Sequence, residues 1–306
     1  MKRAVSVSLG GSERDKVVEV ELLGEKVCIE RRGTDGNLER ATALFTELDG
    51  KVDALGVGGI DLWVEMGERK YKITAAHKLI QNVRQTPVVD GGGLKNTLER
   101  QVVKTMIDEL GPEYASGRVL LTVAVDRYGM TLAFVEQGYD IAYGDLMFSL
   151  GVPIALRTFT QLKRLGRLLA PIATKLPISM LYPTGEKQEQ IVPKYTQWYE
   201  WATVIGGDCH YIKRHMPEDL SGKVIVTNTT TGKDMEMFRR RGVTHVVTTT
   251  PRLDGRSFGT NMMEAALTAV AGKNRPLTHA ELNEMIAELN LKPTVHTLRS
   301  DTKRAR

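Results

Sequence analysis

Apolar and polar residues alternate at the start of the chain, from Ala4 to Leu9, and again where Val18, Val20 and Leu22 interleave with Glu19 and Glu21. A period of two predicts strands with one buried face. Gly24-Glu25 separates this run from Val27 and Ile29, and Gly67-Glu68 separates Leu62 to Met66 from Tyr71 to Ile73, as hairpin turns do. Asn37 to Leu48 changes to helical spacing with Asp35 or Asn37 available as N-cap, and Thr74 to Val83 repeats the signature. A strand-like stretch from Thr86 to Asp90, a triple glycine at Gly91-Gly92-Gly93 and a helix over Leu94 to Leu110 complete a mixed α+β portion. Gly111-Pro112 stops that helix, and the polar residues to Gly117 mark a domain boundary.

From Arg118 the pattern changes to strand and helix in alternation. Nearly wholly apolar runs fall at Val119 to Val125, Tyr139 to Tyr143, Ile178 to Tyr182, Ala202 to Ile205, Lys223 to Thr227 and His245 to Thr249. Buried parallel strands read this way, and about six of them is the number in two mononucleotide-binding halves. Thr230 or Thr231 caps the helix before the last strand, Arg239-Arg240-Arg241 lies in its last turn, and Gly242 follows. Two further helices are predicted, from Ser257 to Val270 and from Thr278 to Leu289. The expected architecture is α/β: a mixed α+β domain over 1–117, a Rossmann-like doubly wound parallel sheet over 118–250, and C-terminal helices with a basic tail over 251–306.

Composition narrows this only a little. A chain of 306 residues, 42% hydrophobic and 26% charged, is an ordinary globular protein of two-domain size. Its first residues contain no apolar run of signal-peptide or membrane-spanning length, which predicts a cytoplasmic protein. Cys28 and Cys209 lie too far apart to suggest a disulfide framework or a zinc site, so free thiols and no metal are expected. The net charge of +5 has local excesses at Arg157 to Lys175 and Arg299 to Arg306. Neither shows the aromatic interleaving of a nucleic-acid surface. The first is predicted to be an amphipathic helix docked through Leu162, Leu165, Leu168, Leu169 and Ile172, bent or ended by Pro171, and not a membrane anchor.

Candidate chemistry collects at predicted strand ends. Val119 to Ala133 followed by Gly138 to Asp145 has the layout of a first βαβ unit of a dinucleotide-binding domain. Gly129 stands at the third glycine position and Asp145 where a carboxylate accepts the adenosine ribose hydroxyls, whereas Ala124 and Asp126 replace the first two glycines. Arg127 is available to offset the Asp126 charge. Gly206-Gly207-Asp208, Asn228-Thr229-Thr230-Thr231 and Thr248-Thr249-Thr250 end later strands with groups suited to a polar, many-oxygen ligand, though strand propensity and helix capping account for single threonines equally well. In the first portion, Asp90 and Lys95 bracket the glycine turn as the parts of a proton-transfer pair, against the plainer reading of a cap and a solvated charge. Gly56 to Asp61 and Gly10-Gly11-Ser12 are further glycine turns after strands, and Asp208-Cys209-His210 lacks a second ligand at metal spacing.

Four segments taken together, Val89 to Thr97, Asp126 to Met130, Tyr182 to Gln188 and Gly255 to Asn261, are similar to a bacterial family labelled quinate 5-dehydrogenase. The resemblance implies an NAD(P)-dependent oxidoreductase, with NAD the expected cofactor, acting on a hydroxylated alicyclic acid such as quinate or shikimate. It makes the first portion the substrate domain and carries over Lys95, with Asp90 as its partner, for catalysis, while the family's glycine-rich cofactor loop does not match here. The βαβ unit and the strand ends themselves give Asp126, Arg127, Gly129, Asp145, Asn228, Thr229 and Thr230 as cofactor candidates, and Asn96, Arg252, Arg256 and Asn261 are the substrate candidates. The partners expected are a small molecule and a second copy of the chain, with no nucleic acid and no membrane. The alternatives are a non-catalytic nucleotide- or polyol-binding sensor using the same cleft, and a transferase or hydrolase of a nucleotide-bearing substrate.

Overall fold

The computed structural model describes residues 1–67, 69–178, 190–250, 252–253 and 256–299, with the side chains of 252, 253, 256 and 257 outside that description. Strand β1 (Lys2–Ser8) is buried from Ala4 onward and lies inside the first sheet. In β2 (Lys16–Leu22) and β3 (Glu25–Gly33) the alternation buries Val18, Val20, Leu22, Val27 and Ile29 on one face. The connecting turn is formed by Leu23 and Gly24, both at positive φ (52° and 78°), one residue earlier than the Gly24-Glu25 pair suggested. Two positive φ values in a two-residue turn match the twist of the strands they join. The helix Leu38–Leu48 starts at Asn37, whose side chain accepts from the Arg40 amide, so of the two predicted caps Asn37 is the one used.

The next strand, β4 (Ala54–Gly58), coincides with residues whose glycines suggested a turn. They are strand residues because another backbone approaches them: a Cβ on Gly56 would stand 2.8 Å from the Asn261 carbonyl oxygen. Strands β5 (Trp63–Met66) and β6 (Arg69–Lys72) form the expected antiparallel hairpin, and β7 (Val88–Val89) completes the sheet in the order β2-β3-β1-β4-β7. All its pairings are parallel except β2 with β3. The long helix expected from Leu94 resolves into Gly92–Asn96, a 3-10 turn Leu98–Gln101 and Val102–Leu110. The helix Thr260–Ala271 contacts β1, β3 and β4, burying Met262, Met263, Ala265, Ala266 and Leu267.

The second sheet contains β8 (Arg118–Leu121), β9 (Asp140–Tyr143), β10 (Val204–Gly206), β11 (Val224–Thr227) and β12 (His245–Thr248). These are parallel in the order β12-β11-β10-β8-β9, and Thr294–Thr297 adds an antiparallel strand beside β12. Numbered along the chain, the parallel strands run 2-1-3-4-5, the flavodoxin-type winding, and not the 3-2-1-4-5-6 of two mononucleotide halves. Its topological switch point lies between β8 and β10. The strand expected from Ile178 is absent at its start: Ile178 itself packs in the core around Phe45 and Leu55, and Ser179 to Tyr182 lie outside the described residues.

The chain divides into two units, each built from separated stretches. Unit 1 takes Met1–Thr97, Arg167–Lys187 and Arg252–Leu291; unit 2 takes Leu98–Gly166, Gln188–Pro251 and Lys292–Arg306. The expected boundary at 117 falls inside unit 2, and the C-terminal helices complete unit 1 instead of forming a third portion. The chain passes from one unit to the other within the helix Phe159–Ala173, which contains Pro171 without ending there. Leu162 and Ala170 of this helix are buried, but Leu168 and Ile172, expected in its packed stripe, are exposed.

Candidate functional site

The carboxyl ends of β8, β10, β11 and β12 bring one arginine and several carboxylates together in unit 2. Arg127 sits at the start of the helix Tyr128–Gln137, in the turn leading from β8. Its Nη1 donates to Glu99 Oε1 at 2.7 Å, its Nη2 donates to Asp208 Oδ2 at 2.7 Å, and its Nε lies 3.3 Å from Asp126 Oδ2. Asp208 follows β10 and caps the helix Cys209–His215, accepting from the His210 amide with its other oxygen. Asn228, after β11, donates to Asp208 Oδ2 at 2.7 Å and accepts from the Cys209 amide. Thr249, after β12, donates to Glu99 Oε1 at 3.1 Å. Gly207 makes this convergence sterically feasible: at φ 139° its Cα faces Thr122, whose Oγ1 would stand 2.2 Å from any Cβ.

Burial taken alone would lower the Arg127 pKa, but the charges of Glu99, Asp126 and Asp208 outweigh it and hold the guanidinium well above its ordinary value. Burial would likewise raise Asp208, and Arg127 reverses that, so Asp208 is held below the usual carboxylate range. Asp145 behaves differently. It is the first residue of the helix Asp145–Leu150, and it accepts from the Val125 amide at 2.9 Å and the Ala124 amide at 3.2 Å. Burial pushes it up to about 6 despite those bonds. The turn after β8, where a dinucleotide's pyrophosphate rests on backbone N–H groups, thus has two of its amides satisfied by a carboxylate of the protein. With Glu99, Asp126 and Asp208 set against a single Arg127, the surroundings repel a second anion, and the residues present do not suit a pyrophosphate.

In unit 1 the glycine turn after β7 has the same character. Asp90 accepts from the Leu62 amide at 2.6 Å, the Trp63 amide at 3.3 Å and the Gly92 amide at 2.9 Å. Lys95 is buried, and its Nζ donates to Asp61 at 2.8 and 3.0 Å. Lys95 and Asp90 are therefore not bonded to each other as the expected pair: the amine donates to Asp61 and the carboxylate accepts from backbone amides. Glu264, from the helix Thr260–Ala271, accepts from the Leu94 amide at 3.3 Å. Burial and then the charge of Asp90 push it up to about 8, against the lowering effect of the Leu94 and Gly93 amides.

The structure gathers Asp126, Arg127 and Asn228 around Asp208, whereas the hydroxyl of Thr229 meets that of Thr250 at 2.9 Å. Thr230 is half-buried, and Thr231, not Thr230, forms the capping box of the helix Gly232–Arg240. Gly129 is buried in the first turn of the Tyr128–Gln137 helix. Asn96 donates to Glu65 and to the Gly92 carbonyl, and Asn261 donates to Ser6 Oγ at 2.5 Å, so both tie unit 1 together. Arg252 and Arg256 fall on two short antiparallel strands whose side chains are outside the described residues. Glu99 and Glu264 were not anticipated, since a glutamate at helical spacing reads as solvent-facing. Glu264 carried a signal nonetheless, as the one charge in the apolar run from Met262 to Leu267.

Two family models match the chain, one described as a domain of unknown function (DUF8753) over residues 3–90 and one as a domain of unknown function (DUF8754) over residues 93–298. No curated protein matches it. Among solved structures, a periplasmic solute-binding protein of an ABC transporter from Actinobacillus succinogenes with bound D-allose is 11% identical. The alignment covers 97% of this chain and 98% of that one, with a TM-score of 0.39. A myo-inositol binding protein from Caulobacter is also 11% identical over 96% of this chain and 93% of its own, with a TM-score of 0.36. The resemblance to quinate 5-dehydrogenase is corrected, since the family models that match the chain are both domains of unknown function and not that family. The NAD(P)-dependent oxidoreductase reading falls with it, and none of the comparisons supports the cytoplasmic location.

Proposed function

The chain belongs to the family described as a domain of unknown function, DUF8754, and we propose that it binds a small, hydroxyl-rich molecule at the strand ends of unit 2 without turning it over. The observation that carries this reading is the Arg127 network. A carboxylate and a carboxamide each present two coplanar polar atoms, a spacing matched by neighbouring hydroxyls of a polyol, which both donate and accept. Asp126 and Asp208 keep 21% and 17% of their side chains exposed above the buried Arg127 and Glu99. Asn228 flanks Asp208, and Thr229 follows Asn228 just past the end of β11. Because these side chains already fix one another, little rotamer entropy is lost when a ligand arrives. The excess of carboxylates selects against phosphates and carboxylic acids and leaves neutral polyols.

Two further observations support binding without turnover. Lys95 is neutralised by Asp61, and burial lifts the Cys209 thiol far above its ordinary range, so neither is an activated nucleophile. Titration calorimetry with D-allose, myo-inositol and NAD tests the reading. A polyol is expected to bind, and Asp126→Asn to weaken it by about tenfold or more, the equivalent of one charged hydrogen bond. Binding of NAD with no response to any polyol would overturn it.

A further inference from the structure

Between Asp145 and Glu186 the sequence contains no acidic residue but five basic ones, Arg157, Lys163, Arg164, Arg167 and Lys175. The helix Phe159–Ala173 lies in the middle of this segment and has two faces. Leu162, Gly166 and Ala170, four residues apart, are buried. On the opposite face Arg164, Leu168 and Ile172 share the same spacing, and Leu168 and Ile172 are 69% and 63% exposed. Arg167 and Pro171 border that stripe and Lys175 follows just past it, all exposed. Leu150, Val152 and Ile154, in the same acid-free segment before the helix, are exposed as well. Among the described residues Arg164, Arg167 and Lys175 have no ion-pair partner. No described helix is long and apolar enough to cross a membrane.

We propose that the Arg164–Leu168–Ile172 face is a docking surface for an anionic lipid bilayer, on which the helix lies in the interfacial plane. The charge identifies the class of occupant. A second copy of the chain would bring the same cations against one another, so self-association through this face is disfavoured. A specific protein interface needs roughly 800 Å² and about 20 to 30 residues on each side, far more than one exposed stripe of a single helix supplies. A bilayer requires neither a groove nor a fixed geometry. Leucine and isoleucine side chains enter the boundary between headgroups and acyl chains, while the long arginine and lysine stems keep their charges at the phosphates.

Co-sedimentation at physiological salt tests this, with vesicles of zwitterionic phosphatidylcholine and vesicles containing about one-third phosphatidylglycerol. The full chain is expected to pellet with the second and not with the first. Leu168→Ser with Ile172→Ser keeps every charge, and exposed positions tolerate it; this variant is expected to lose most of the binding while melting as the wild type does. Arg164→Gln and Arg167→Gln are each expected to weaken partition by about fivefold, the contribution of one cation near an anionic surface. A wild type that stays in the supernatant with both vesicles overturns the proposal. So does a double serine variant that pellets unchanged, because binding is then generic attraction to a basic protein. Dimerisation of the wild type that the serine variant abolishes assigns the face to a second copy, and equally overturns it.

Discussion

Glu264 shows what burial does to one carboxyl in this protein. It is 4% exposed, accepts backbone amides at the start of the Gly92–Asn96 helix, and is pushed up to about 8 by burial, with Asp90 and Glu65 as charged neighbours that act in the same direction. The folded chain thus holds this proton more tightly than the unfolded chain, whose glutamate releases it near 4.5. The resulting stability is fully present below about pH 4.5 and is lost as pH rises through about 8, amounting to a few kcal/mol at most. Thermal melts are expected to fall between pH 5.5 and 8.5 in the wild type, and to fall much less in Glu264→Gln; parallel curves for the two proteins would contradict the assignment. Arg127 makes the converse case. Removing it as Arg127→Met strands Glu99 and Asp208 without their counter-charge, which costs about 3–5 kcal/mol and is read as a lower urea midpoint at pH 7. An unchanged midpoint would mean that those carboxylates take up protons without penalty.

At the level of elements, the legible features were those fixed by neighbours in sequence. The β2–β3 and β5–β6 hairpins, the Asn37 cap and the helix before β12 all follow from turn chemistry and periodicity close at hand. What escaped was decided by distant contacts. Gly56 and Gly58 suggested a turn, yet they belong to β4, because the helix Thr260–Ala271 arrives against them from two hundred residues away. The candidate site divides in the same way: the strand-end residues Asp126, Asn228 and Asp208 were visible as strand ends, while Glu99 entered from a 3-10 turn that periodicity assigned to a continuous helix. A substitution separates the two kinds of glycine. Gly56→Ala drives a methyl to 2.8 Å from the Asn261 carbonyl oxygen, a backbone atom with little freedom to move, at a cost of about 1–3 kcal/mol. Gly24→Ala meets nothing within 4 Å and only strains a positive φ of 78°, costing roughly 1 kcal/mol. Paired denaturant titrations showing Gly24→Ala as the more damaging change would invert this account.

For the whole molecule, the division into units that cross the chain repeatedly has a consequence for what folds alone. A reading along the sequence sets 1–117 apart as a domain, but that fragment lacks the helix Thr260–Ala271, which contacts β1, β3 and β4 and whose Met262, Met263 and Leu267 are buried. Without it, apolar strand residues facing that helix meet water, and each large side chain so exposed forfeits about 1.5–3 kcal/mol. A domain is stable by only about 5–15 kcal/mol, so the loss of one covering helix is enough to unfold it. Residues 1–117 expressed alone are therefore expected to give no cooperative thermal transition by circular dichroism. Joining residues 167–187 and 252–291 to 1–97 through flexible linkers brings all three stretches of unit 1 together, the covering helix included, and is expected to restore a sigmoidal melt. A cooperative melt from 1–117 alone would show that the β2-β3-β1-β4-β7 sheet is stabilised chiefly by the helix Leu38–Leu48 and its near neighbours, and that the C-terminal helix only adds to a core already formed.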